Sequence, residues 1–206
     1  MPIEFPESTP TRSRILEAAR RLFYEQGFHA TGISTILREA GVNSGSLYHH
    51  FDSKDALLLR VLQNYIELLR PIIMDPAEHA AADPIERIFA LLNLYRQGII
   101  STDFRMGCPI GNLALEVADD HPEARALIDQ NFRNWMAVVR GWLDQAADRL
   151  PDSVDRAELA SLILTVMEGG LMQARAARSI EPYDASVAQV QSYLELLMRI
   201  RREERS

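Results

Sequence analysis

The stretch Ile33–Lys54, ISTILREAGVNSGSLYHHFDSK, decides how the rest of the chain is read. Ile33, Ile36, Leu37 and Ala40 recur at helical spacing, so one face of a first short helix is buried. Gly41 ends it, because glycine enters the left-handed conformation at which helices commonly stop. Val42 follows as an apolar plug. Asn43 or Ser44 then stands where a side chain caps the next helix by accepting a backbone hydrogen bond. That next helix is polar: Ser44, Gly45, Ser46, Tyr48, His49 and His50 surround the single Leu47. A helix that gives so little to a core presents its polar side to something else. Helix, glycine turn and polar helix is the plan of a helix-turn-helix, whose second helix enters the DNA major groove.

Towards the amino terminus, Ile15, Ala18, Ala19, Leu22 and Phe23 form the apolar stripe of another helix, starting near Thr11 and stopped by Gly27. Residues 1–10, with three prolines, are expected to be a mobile arm. Thr31 precedes the first motif helix and either caps it or touches a phosphate. Towards the carboxyl terminus, Asp52 or Ser53 caps a helix from Lys54 to about Met74, ended by Asp75-Pro76. It is long enough to connect two domains. Further helices follow: Pro84 to Ser101, Cys108 to Ala118, one opened by His121-Pro122, Asp155 to Ala177, and a last one after Pro182. No alternating segment suggests a sheet. The expected fold class is all-α. A helix-turn-helix domain spans 11–54, and a larger helical domain spans 55–206.

The chain has 206 residues, 47% of them hydrophobic, which suits a globular protein with a real core. Net charge is −7, which alone argues against a nucleic-acid partner. Its distribution removes that objection: residues 1–60 hold seven Arg/Lys and seven Asp/Glu, so the surplus acid lies entirely beyond them. The single lysine, Lys54, sits at the end of the motif. No apolar run approaches the roughly 20 residues that cross a bilayer. The first residues lack the basic and apolar regions of a signal peptide. One cysteine excludes an internal disulfide and suits a reducing, cytoplasmic setting. Consecutive His49 and His50 point about 100° apart on a helix and cannot share an ion, so no metal site is expected, and no cofactor.

The whole arrangement of ILEAARRLFYEQGF (Ile15–Phe28), Thr31, ILREAGV (Ile36–Val42), GSLYHHF (Gly45–Phe51) and SKDALL (Ser53–Leu58) resembles the DNA-binding domain of the TetR family of transcriptional repressors. Many members carry a lysine near the start of the recognition helix; Ser44 stands there in this chain. The resemblance implies operator contacts from the recognition helix and its flanks. On that reading the DNA-binding residues are Thr31, Asn43, Ser44, Ser46, Tyr48, His49 and Lys54. Tyr48 and Lys54 occupy positions that usually touch phosphate. The alternative for Tyr48 is packing on the small core.

Gly107–Glu116, GCPIGNLALE, resembles a subgroup of such regulators with a Gly-Cys-Pro-x-Gly-Asn pattern in the sensor domain. Cys108 lies where the free N–H groups of a helix start favour a thiolate, and can therefore react with an electrophile or oxidant. Equally, a free cysteine is commonly buried and inert. Asn112 and Glu116 share a helix face and either bind a ligand or bond neighbouring helices. The resemblance implies a cavity for a small-molecule inducer in the larger domain. The candidates for its lining are Tyr95, Met106, Cys108, Asn112, Glu116, Phe132, Trp135 and Met167, with Met136, Trp142 and Met172 as further apolar bulk; the alternative for the apolar ones is ordinary core. The last two helices are expected to form a homodimer contact, since two recognition helices about 34 Å apart match successive major grooves. The expected function is a ligand-responsive repressor on a near-palindromic duplex operator. Sensing through Cys108 is the alternative. An enzyme is disfavoured by the lack of a Ser-His-Asp order or phosphate loop. A helical protein adaptor would tolerate loss of Tyr48 and Lys54.

Overall fold

A computed structural model describes residues 11–206; the arm expected over 1–10 lies outside the described residues. The described chain is all-α. It runs α1 (Thr11–Gln26), α2 (Ile33–Ala40), α3 (Ser44–His50), α4 (Lys54–Leu68), α5 (Asp75–Ala80), α6 (Pro84–Ser101), α7 (Pro109–Val117), α8 (Pro122–Gln145), α9 (Arg156–Ala177) and α10 (Glu181–Glu204). No strand occurs among the described residues, and none of the described helices is long and apolar enough to cross a membrane.

Local chemistry sets most of the boundaries. Gly41 adopts φ +62°, and the N–H groups of Gly41 and Val42 bond back to Arg38 and Leu37 carbonyls. Of the two caps open for α4, Ser53 takes the role, its Oγ accepting from the Ala56 N–H at 3.0 Å. Asp83 accepts from the N–H groups of Ile85 and Glu86 at 2.8 and 3.2 Å, and Pro84 opens α6. Asp155 caps α9 in the same way.

Two expectations about helix ends are corrected. Asp75-Pro76 does not stop the chain. A π-helical turn over Leu69–Met74 takes in Pro71, which lacks the N–H an α-helix interior needs, and Pro76 then sits in the first turn of α5. Pro182 likewise lies inside the first turn of α10 rather than ahead of it.

The chain divides into two compact units. The first comprises residues up to Glu67 and Pro109–Asn131; the second comprises Leu68–Cys108 and Phe132–Ser206. In the first, Ile15, Ala19, Leu22, Phe23 and Ile36 from α1 and α2 are buried, as are Leu57, Leu58, Val61 and Leu62 of α4. Segment 109–131, which sequence patterning assigns to the larger domain, groups with this unit through long-range bonds. The buried Asn131 amide, for example, donates to the Leu62 carbonyl at 3.3 Å. In the second unit α9 packs on α10 and on α6. Arg149 clamps the α6 cap through two bonds to Asp83 at 2.7 and 2.9 Å, which hold that carboxyl below the usual carboxylate range. The Trp142 indole, almost fully buried, donates to Glu78 at 3.1 Å.

Candidate functional site

In the first unit the polar helix is displayed as its composition demands. Tyr48 is 58% exposed, which removes core packing as its role. His49 and Asn43 are exposed and His50 half-buried. Phe51 turns inward as core, with the Arg12 guanidinium 5.2 Å from its ring centre. The side chains of Ser44 and Ser46 lie outside the described residues. A short helix whose tyrosine and imidazole face outward can bond phosphate oxygens or base edges.

Thr31 takes neither expected role. The cap position of α2 is Gly32, and Thr31 is fully buried, its hydroxyl donating to the Gly27 carbonyl at 2.6 Å. A hydroxyl spent on a loop carbonyl inside the core is not available to phosphate, so Thr31 is corrected from contact to scaffold. Lys54 is half-buried, its ammonium 4.2 Å from the centre of the Phe28 ring. That distance is a cation–π contact. Burial pushes the Lys54 ammonium down, against the opposing pull of Glu116 and Asp55.

The loop between α1 and α2 is held from α7. The Glu116 carboxylate accepts from the backbone N–H of Phe28 at 2.9 Å and of His29 at 2.5 Å. The His29 ring lies 3.1 Å from the Glu116 carbonyl oxygen. Gly27 makes the approach possible: its φ is +89°, and a Cβ there would come within 2.9 Å of a Glu116 carboxylate oxygen. Of the two roles open for Glu116, the structure shows the bonding of a neighbouring element, the α1–α2 loop, and Asn112 is half-buried on the same α7 of the first unit.

Of the residues expected to hold an inducer, Tyr95, Met106, Cys108, Phe132, Trp135 and Met167 fall in the second unit. Trp135 donates its indole N–H to the Tyr95 phenol oxygen at 3.1 Å. Cys108 and Met167 are buried. Met172 is 57% exposed and therefore no part of an interior pocket. Two surface grooves, of about 340 and 220 Å³, run between α6 and α10, and none of the expected inducer residues lines them. Tyr95, Met106 and Phe132 are half-buried, while Trp135 is buried.

Sequence reading missed Glu168. It lies on α9, three residues before Leu171 and four after Leu164, both buried. A charged residue on the apolar stripe of a helix was the available signal. Its carboxyl is hydrogen-bonded by the Cys108 thiol, and burial pushes it above the ordinary glutamate range. Oε1 is buried with no hydrogen-bond partner. Leu162, Met172, Tyr193, Leu196 and Ile200 form exposed apolar positions on α9 and α10.

Comparison with known proteins places this geometry in context. Residues 15–61 match the family model for bacterial regulatory proteins of the tetR family. Residues 84–189 match that for the LmrA/YxaF-like transcriptional regulator C-terminal domain. An uncharacterized HTH-type transcriptional regulator of Mycobacterium tuberculosis is 34% identical over 187 residues, covering 89% of this chain and 93% of that one. The HTH-type transcriptional regulator LmrA of Bacillus subtilis is 33% identical, covering 84% and 90%. The crystal structure of Escherichia coli NemR in its reduced form superposes with a TM-score of 0.77 at 26% identity, covering 89% of this chain and 96% of that one.

Proposed function

Since the chain belongs to the TetR family, and is therefore a DNA-binding transcriptional regulator, we propose that it is a homodimeric repressor released from a near-palindromic operator by a small-molecule inducer. The observation that carries the proposal is the outward Tyr48 and His49 on a helix with a single large aliphatic residue in its sequence. Tyr48 and His49 bond phosphates and base edges, Asn43, Ser44 and Ser46 line the close approach, and Lys54 adds a phosphate contact from the start of α4. Printed names of similar proteins support repression: NemR, 27% identical over 191 residues, is a transcriptional repressor. Apolar positions on α9 and α10 supply the dimer face. The cytoplasm is the proposed setting.

The inducer occupies the second unit, against Tyr95, Phe132, Trp135 and Met167. It must bind the DNA-incompetent form more tightly, because equal affinity for both forms shifts nothing. Cys108 is the residue immediately before α7, and Glu116 lies in the last turn of that helix. Displacement at the Cys108 end is carried along one short rigid helix to the latch on the α1–α2 loop.

A mobility-shift titration with the DNA upstream of the gene tests the proposal. Binding should be sequence-selective and weaken steeply with salt; equal affinity for scrambled DNA would sink the idea. Replacing Tyr48 and His49 together by alanine is expected to weaken operator binding about tenfold. Lys54→Met should flatten the log–log salt slope by about 1.

A second reading, sensing of electrophiles or oxidants through the Cys108 thiol, is favoured by one observation. The thiol bonds to the Glu168 carboxyl, a group placed to take its proton when the sulfur attacks an electrophile. N-ethylmaleimide should then release the operator from the native chain and not from Cys108→Ala. An undiminished response in Cys108→Ala discards the reading.

A further inference from the structure

The buried face of α9 is built from Leu159, Ala160, Ile163, Leu164, Met167, Gly170, Leu171 and Ala174, and Glu168 interrupts it. A carboxyl oxygen closed off without a partner is costly, and buried polar groups nearly always find one. The groups coupled to this carboxyl come from three elements: the Cys108 thiol ahead of α7 hydrogen-bonds it, and its charge in turn raises the Tyr95 phenol on α6 and the Tyr183 phenol on α10. None is a cation. Both phenols already have partners, Tyr95 accepting from Trp135 and Tyr183 donating to the Leu92 carbonyl at 2.7 Å. The charged pair nearest in sequence to Tyr183, Asp184 with Arg96, is closed on itself at 2.8 and 2.9 Å.

We propose that Glu168 is the anchor of the inducer site and that the inducer class is an organic cation, an amine or amidinium on an apolar frame. The proposal rests on the reading of the second unit as the inducer-binding part, and it names the chemistry of that site. The cation donates N–H groups to the oxygen that has no partner in this form. Trp135, Phe132 and Met167 supply the apolar wall. Glu168 lines neither groove and its Oε1 is buried, so the ligand selects an arrangement in which α9 gives access to that oxygen, which is how binding comes to change the conformation. Burial holds the carboxyl neutral to higher pH than usual. Pairing with a cation requires the ionised form, so amine affinity rises with pH as Glu168 loses its proton.

The test uses the full chain and a series of arylalkyl amines of graded size, each matched with the alcohol of the same skeleton. Binding is read by calorimetry and by tryptophan fluorescence. The best amine should bind about tenfold or more tighter than its alcohol. Glu168→Gln should erase that preference and its pH dependence while leaving the alcohol's affinity in place. Glu168→Asp, which keeps the charge, should retain part of the preference. Equal binding of amine and alcohol, binding of neither series, or a preference that survives in Glu168→Gln overturns the proposal. Operator binding of the same preparations is measured alongside. A chain that prefers amines yet ignores the operator refutes the repressor reading alone; one that binds the operator without amine preference refutes only the Glu168 anchor.

Discussion

Tyr183→Ala is expected to destabilise the second unit by about 3–5 kcal/mol, read from urea unfolding. Tyr183 is 1% exposed and among the largest fully buried side chains. Its hydroxyl donates to the Leu92 carbonyl at 2.7 Å, tying α10 to α6. Its ring fills the place a side chain would need on α9: a Cβ at Gly170 would stand 2.9 Å from the ring. One residue thus holds α6, α9 and α10 together. Tyr183→Phe keeps the ring and should cost only about 1 kcal/mol. Gly170→Ala drives a methyl group into the ring and should cost about 1–3 kcal/mol. The order alanine, glycine substitution, phenylalanine separates packing from the hydrogen bond. An alanine variant within 1 kcal/mol of the native chain would mean the three helices hold without Tyr183. Because α9 and α10 carry the exposed Leu162, Tyr193, Leu196 and Ile200, the same variant should also weaken the proposed dimer.

Helix starts were legible because their causes are local. Asp83 and Asp155 cap by bonding N–H groups two and three residues on, and that spacing is written in the sequence. The apolar stripe of α1 was legible for the same reason, and Ile15, Ala18, Ala19, Leu22 and Phe23 are all buried. Proline misled at Pro76 because it favours a helix's first turn as strongly as it ends one, and the π-helical turn before it lets the chain run on.

Side-chain roles set by distant partners were not legible. Thr31 looks like a cap in isolation; only the fold shows that its hydroxyl is used four residues back. Glu116 bonds backbone N–H groups 88 and 87 residues away, which no helical spacing encodes. The exposure of Tyr48, by contrast, follows from the poverty of apolar residues around it, and the surface bears that composition out. Bulk and family likeness single out the expected inducer residues, and bulk alone does not tell a cavity from a core. Trp135 and Met167 are packed in this form. Charge against the local pattern marks out Glu168, whose Oε1 is buried without a partner.

Glu116→Ala should uncouple the two activities proposed for the chain. The carboxylate makes two charge-assisted bonds, to Phe28 and His29, at a loop that joins α1 to α2. Removing it leaves two N–H groups without an acceptor, one part-buried and one exposed, at a cost of about 2–3 kcal/mol to the first unit. Glu116→Gln keeps an acceptor oxygen without the charge and should lose about half as much. The Lys54 ammonium, 4.2 Å over the Phe28 ring, still steadies the loop, so operator binding should survive at low temperature. What should go is the response: with the latch cut, movement of α7 no longer reaches the helix-turn-helix, and an inducer that fully releases the native chain should release the variant only weakly. Hydrogen exchange at the Phe28 and His29 amides reports the latch directly and should speed up in Glu116→Ala. Fast exchange with an intact inducer response would assign Glu116 to stability alone and put the transmission route elsewhere, through the α4 run that crosses from one unit to the other between Glu67 and Leu68.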